Sequence, residues 1–334
     1  MNYQIKNFKI EDKELWNLFN YFAKEYNSTD CLFNKSALNY FKEYEIYHGW
    51  DVQDKSFCLF NGEEPYFLFM GALMLRGNEK KYFLFSKPCL ILESSELNKK
   101  QRKNISSKMS ELFLNNNYLF FVDTFYRSNL MPYSYDFLLT KNSFLVKTYC
   151  TRKILIYQSE EKLWKDIRSS YKSLINWGIR ELEISILTGN SISKDVIEEY
   201  RMLHLDVSGK ESRSKETWNL QYKAIKEEEA FLVTGRKDGV LVSVGYFPMN
   251  KTHAFYGSSA SKFSEIQKPL FHALMWKAIL YCKKRNILYF ETGPELNKLE
   301  NIKKKVDSKN LNIAQFKAGF GGKLFLKNTI ERII

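Results

Sequence analysis

Clustered metal ligands, paired cysteines and long apolar runs are all missing from this chain of 334 residues. Its five cysteines, Cys31, Cys58, Cys89, Cys150 and Cys282, are odd in number, widely spaced and without a C-x-x-C pair. That spacing indicates neither a disulfide framework nor a zinc knuckle, and it reads as reduced thiols in a core. The four histidines, His48, His204, His253 and His272, have no metal spacing between them. No H-E-x-x-H, G-x-S-x-G or Walker-type glycine-lysine motif occurs, so a metal mechanism, a hydrolytic triad and a P-loop have no residues to stand on. No metal and no permanently bound cofactor are expected. Nowhere do about 18 uncharged apolar residues run together, and the N-terminal MNYQIKNFKIEDKELWNLF carries charge where an export signal has an apolar core. The expectation is a cytoplasmic protein without a transmembrane segment.

Acidic residues are also in deficit. Against 38 Asp and Glu stand 51 Lys and Arg, a formal charge of +13, which favours polyanionic partners such as RNA, anionic lipid surfaces, nucleotides or coenzyme A. The excess is spread along the chain and names a class of partner only. Hydrophobic residues make up 44% of the sequence and aromatics 16%, a globular composition. The length suits two domains of roughly 150 residues each.

The first half reads as helices over 11–26 and 36–44, then strands in SFCLFNGEEPYFLFMGALML and KKYFLFSKPCLILE, broken by Asn-Gly and Gly-Asn turns. A basic amphipathic helix over 97–116 delivers the chain into the aromatic strand NYLFFVDTF. The second half opens with the strand TRKILIYQ, a helix over 160–177 capped by Gly178, and the strand EISILTG. Helices over 194–206 and 214–229 flank the polar loop VSGKESRS. A hairpin turning on Lys237-Asp238-Gly239, a strand HAFYGSSA, a helix over 269–286 and the strand ILYFETG follow. Both halves thus show helices, an antiparallel meander, a long helix and a strand, an α+β pattern repeated about twice. The division falls near 149–151, giving domains 1–150 and 151–334. With no linker composition between them, a cleft between the halves is the expected ligand site.

The chemistry-bearing segment is FKAGFGGKLF, in which Lys317 stands between Phe316 and a glycine-rich turn. Glycines permit positive φ and close backbone approach, and exposed N–H groups in such a turn can hold an anion beside a lysine. Taken with PLFHALMWKAILYCKKRNILYFETGP before it, this segment resembles the C-terminal half of the Fem peptidyltransferases and the related BioF2-like acyltransferase domain. The likeness runs over 151–326 and is clearest after Phe231. It implies two tandem GNAT-like domains and transfer of an aminoacyl group from transfer RNA to a peptidoglycan precursor. The same resemblance implies that Phe316 and Lys317 contact the donor, with Gly319 and Gly321 beside them, and that Arg213 meets acceptor diphosphate. Ser214 follows Arg213 where the family pattern has proline. Tyr256 and Ser258, two apart on a strand, then line the acceptor site, as Tyr118 does from the first half. Asp123 becomes a candidate base for the attacking amine, and Arg168 and Lys172 a basic helix face for donor phosphates.

An ordinary acetyl-CoA enzyme of the GNAT kind has a glycine-rich pyrophosphate loop after the strand HAFYGSSA; here the segment is SKFSEIQKPL, without glycine. This favours aminoacyl-tRNA as acyl donor over acyl-CoA. A nucleotide- or lipid-linked glycan or peptide precursor is the implied acceptor, with peripheral membrane-surface contact. CoA-dependent acylation of an amino sugar, nucleotide-sugar or amino acid remains the alternative. A non-catalytic basic protein that binds RNA or a surface is the second. The compact second half, without an extended heptad run, resembles the Fem members that lack a coiled-coil insertion.

Overall fold

A computed structural model describes residues 3–26, 30–114, 118–123, 131–141, 143–262, 269–295 and 308–332. The chain forms two compact units, Met1–Thr148 with Lys327–Ile334, and Tyr149–Leu326.

In the first unit β1 (Gln4–Phe8) is followed by α1 (Lys13–Ala23), α2 (Lys35–Tyr47), β2 (Asp51–Asp54), β3 (Ser56–Asn61), β4 (Glu64–Met70), β5 (Ala72–Arg76), β6 (Glu79–Phe83) and β7 (Leu90–Glu93). Helix α3 (Lys99–Met109) then leads to β8 (Leu119–Asp123), α4 (Tyr133–Leu139) and β9 (Phe144–Leu155). Helix α1 buries Leu15, Leu18, Phe19 and Phe22, the i, i+3, i+4, i+7 stripe that seats an amphipathic helix on a sheet. Strands β1, β3, β4 and β7 form an antiparallel sheet in that order. Cys89, just before β7, bridges in parallel to Val122 of β8.

The second unit adds α5 (Glu160–Asp166), α6 (Ser169–Glu181), β10 (Glu183–Leu187), α7 (Lys194–Ser208), α8 (Lys215–Lys226), β11 (Ala230–Lys237) and β12 (Val240–Pro248). It continues with β13 (His253–Phe255), β14 (Ser258–Ser261), α9 (Phe271–Lys284), β15 (Tyr289–Pro294), α10 (Ser308–Ala318) and β16 (Lys323–Arg332). Strands β10, β11, β12 and β14 form an antiparallel sheet. Strand β13 runs parallel to β15, and β15 antiparallel to β9. The hairpin between β11 and β12 turns on Asp238 and Gly239, at φ +51° and +76°, the two left-handed residues of a tight hairpin.

The order strand, two helices, antiparallel strands, helix, parallel strand, helix, closing strand therefore occurs twice. The closing strands are exchanged. Residues 151–155 of β9 pair with β15 in the second unit, and Thr329–Arg332 of β16 pair with β8 in the first. Residues 327–332, expected in the C-terminal domain, belong to the first unit because Ile330 is fully buried in its core.

The helix expected over 160–177 is broken. Ile167 and Arg168 are extended, at ψ 137° and 131°, because Ile167 turns into the core and the Arg168 N–H donates to Gly319 O at 2.9 Å. Gly178 is not a cap. Helix α6 runs past it to Glu181, and a Cβ at Gly178 would lie 2.6 Å from Cβ of Ala273, so glycine lets α6 and α9 touch.

Candidate functional site

The strand read as continuous through HAFYGSSA changes partner in the middle. The Tyr256 N–H still donates to Glu291 O of β15 at 2.9 Å, whereas the Gly257 N–H donates to Tyr246 O of β12 at 3.1 Å. Only glycine fits that crossing, since a Cβ on Gly257 would lie 2.9 Å from Pro248 and 3.0 Å from Tyr246 O. Beside the break opens a pocket of about 490 Å³, lined by Tyr256, Ser259 and, from α10, Ser308, Asn312, Ile313 and Phe316. The Tyr256 hydroxyl lies 2.6 Å from Ser259 Oγ. Burial pushes the phenol up to about 12, so it stays protonated and able to donate at neutral pH.

The Lys317 Nζ lies 5.0 Å from the centroid of the Tyr256 ring, a cation–π approach. It also occupies the space a side chain on Gly293 would need, 3.2 Å from where that Cβ would stand. Burial lowers the Lys317 pKa from its ordinary value, and the negative charge of Glu291 acts in the opposite direction. Phe316 packs among Tyr171, Phe271, His272 and Phe320, with ring centroids 5.1 to 6.2 Å away.

The FKAGFGG segment differs from the glycine turn expected of it. Phe316 and Lys317 form the last turn of α10, and the following N–H groups are used internally. Gly319 N–H donates to Gln315 O and Phe316 O, Phe320 N–H to Lys317 O, and Gly321 N–H to Ala318 O. This is a helix C-terminus, the negative end of the dipole, so the proposed anion hold by Gly319 and Gly321 is corrected. Their requirement is steric: a Cβ on Gly319 would meet the Tyr171 ring at 2.2 Å, and one on Gly321, at φ +85°, would meet Asp166 O at 2.9 Å. Arg168 likewise serves α10. Its guanidinium donates to Gln315 O at 3.3 Å and lies over the Tyr171 ring, a cation placed where the dipole favours one. As the residue capping α6 it is outside that helix, so it does not share a helical face with Lys172, whose ammonium lies 5.8 Å from the Trp164 ring.

Ser258 does not share Tyr256's side. With the strand broken between them the two-residue alternation fails, and Ser258 Oγ lies 2.8 Å from the hydroxyl of buried Tyr200 on α7, leaving Ser259 with Tyr256. Arg213 is no solvated loop residue: it is 8% exposed, lies 4.6 Å over the Trp218 ring and reaches His204 Nε2 at 3.2 Å. Asp123 and Tyr118 belong to the first unit. Tyr118 packs on Tyr82, and Asp123, 2% exposed, pairs with Lys327 at 3.7 Å, the same lysine that binds Asp30 at 2.8 Å. That carboxylate is committed to an ion cluster rather than presented as a base.

Sequence reasoning passed over Glu291, Lys153 and Ser259. The signal for Glu291 was a carboxylate inside an otherwise apolar strand, ILYFETG. Among the described residues no group of three or more His, Cys, Asp or Glu could hold a metal ion, and no helix is long and apolar enough to cross a membrane.

No known sequence family and no curated protein matches this chain. Solved structures do, and with the duplicated element order they identify the fold: it is the one shared by FemX and a tandem GNAT protein. In particular the chain is similar to FemX, with a TM-score of 0.66 over 99% of this chain and 97% of the other at 11% identity. It is also similar to L-PGS from Bacillus licheniformis, TM-score 0.57 over 96% and 92% of the two chains at 12% identity. A tandem GNAT protein from the clavulanic acid biosynthesis pathway has a TM-score of 0.53 over 99% and 98% at 9% identity. Identities this low carry the fold alone.

Proposed function

We propose that this protein is a cytoplasmic N-acyltransferase that moves an aminoacyl group from aminoacyl-tRNA to an amine of a peptidoglycan or other cell-envelope precursor. The observation that carries the reading is the half-buried Lys317 ammonium against the Tyr256 ring, beside a pocket framed by Phe316 and Ser259. In such a transfer the amine nitrogen attacks the ester carbonyl, the C–N bond forms, the ester C–O bond breaks, and the proton the amine gives up ends on the leaving ribose oxygen of the transfer RNA. Negative charge gathers on the carbonyl oxygen in between. A preorganised cation and a protonated phenol are the groups that stabilise that oxyanion, and each such contact is worth about 2.7–4 kcal/mol in known enzymes. The similarity to FemX and the glycine-free SKFSEIQKPL segment support the tRNA donor.

A second reading, CoA-dependent N-acylation of an amino sugar, nucleotide-sugar or amino acid, is supported by the likeness to the tandem GNAT protein, whose structure is described as lacking AcCoA. One experiment separates them. Reaction mixtures offering charged transfer RNA or acetyl-CoA with UDP-sugar and amine acceptors are read by mass spectrometry, for wild type and Lys317→Ala. The expected result is product from the charged RNA, reduced about 100-fold or more by the substitution. Equal product from the variant would remove Lys317 from the mechanism, and no product from either donor would favour a non-catalytic basic RNA- or surface-binding protein.

A further inference from the structure

Glu291 is a carboxylate only 6% exposed inside the β-sheet of the second unit. Burying a charge is costly unless cations and hydrogen bonds compensate it, and here both oxygens are held. Thr151 Oγ1 donates to Oε1 at 2.7 Å, and Lys153 Nζ lies 3.7 Å from Oε2. The strand carries a register shift between Glu291 and Gly293, the kind of bulge that re-aims side chains beside functional sites. Gly293, at φ +101°, leaves open the space that the Lys317 ammonium fills. The Lys317 ammonium, which lies over the Tyr256 ring at the pocket wall, thus sits in a notch of the strand that carries Glu291, two residues away.

We propose that Glu291 is a positioning residue, a fixed counter-ion that keeps Lys317 cationic beside the pocket while Thr151 and Lys153 hold the carboxylate in place. This rests on the reading of Lys317 as the cation of the transfer site. The charged and titratable groups around the pair come from four elements. They are Lys153 and Arg152 on β9, His253 on β13, Tyr256 after it, and Glu295 after β15. Four of these engage one another: Arg152 pairs with Glu295 at 2.9 Å, and Lys153 also lies 3.3 Å from His253 Nε2. Tyr256 stays neutral. Burial drives the Lys317 ammonium to lose its proton, and the negative charge of Glu291 on the same strand notch opposes it.

The test titrates Lys317 in the unliganded full chain by NMR of protein labelled with 13C at the lysine ε carbon, its signal assigned with Lys317→Arg. Removing an anion lowers a lysine pKa, so Glu291→Gln is expected to lower the Lys317 midpoint by about one unit, tenfold in proton affinity. An unmoved midpoint in a variant that melts like wild type overturns the proposal. If Gln at this position prevents folding, Glu291→Asp, which retracts the carboxylate by one methylene, is expected to give a smaller fall, and an unmoved midpoint there overturns it equally. Where activity is found, the alkaline limb of the rate profile moves to lower pH in Glu291→Gln, and Lys317→Arg, whose charge does not titrate, abolishes that movement. Absence of any transfer product defeats the functional reading and leaves the titration to decide the role of Glu291.

Discussion

Two imidazoles of the second unit are held neutral by their surroundings, which ties its stability to pH. Burial among Tyr171, Phe316 and Phe320 lowers His272 to about 4, and burial with the Arg213 guanidinium lowers His204 to about 4. The unfolded chain binds these protons near 6.5, before the folded one does. The stability from neutral burial is therefore complete above 6.5 and is lost as pH falls through 6.5 toward about 4. Thermal melts should show Tm declining across that window, and His272→Phe, which keeps a ring but removes one titrating group, should make the decline shallower. Tyr256 shows the same physics with opposite charge, since burial raises a phenol and so preserves its proton. None of these shifts could be read from a residue's neighbours in sequence, because the groups that cause them come from other elements.

Among the elements, close approach at glycine recurs and decides packing. Gly178 lets α6 rest on Ala273 of α9, and Gly319 lets α10 end against the Tyr171 ring of α6. Helices pack as closely as their smallest facing residues permit, so Gly178→Leu should destabilise the protein by about 1–3 kcal/mol through overpacking. Ala273→Gly in the same chain should recover part of the loss, a coupling that denaturant melts of both single variants and the double variant would measure. If the losses simply add, the two helices do not meet at this pair. The FKAGFGG glycines illustrate why a motif is ambiguous by itself: three glycines in seven residues suit a phosphate-binding turn and a helix C-terminus equally. What decides between them is where the N–H groups donate, and here they donate to α10.

For the whole molecule the exchanged closing strands matter most. Residues 327–332 complete the first unit, where Lys327 is shared by Asp30 and Asp123. Burial alone would raise the Asp30 carboxyl, but Lys327 and Lys87 hold it below the usual carboxylate range. Its contribution to stability is therefore present at neutral pH and lost as pH falls below 3.8. Lys327→Met removes the cation that the two buried carboxylates share and should cost about 3–5 kcal/mol, measured by urea unfolding at neutral pH. A loss below about 1 kcal/mol, the range of exposed pairs, would show that the cluster is solvated. How much of this was legible beforehand follows from the range of each signal. Apolar periodicity and turn residues are local, so the amino-acid sequence by itself determined the α+β class, the repeated order of elements and the hairpin at Asp238-Gly239, and its resemblance to a family with a Phe-Lys pair gave the candidate Lys317. Partner choice is not local. Only the tertiary structure decided that the strand leaves β15 at Gly257, that Ser259 rather than Ser258 accompanies Tyr256, that Lys317 fills the notch at Gly293, and that the last strand closes the first unit. Each of those depends on which backbone groups and charges meet across long separations in the chain.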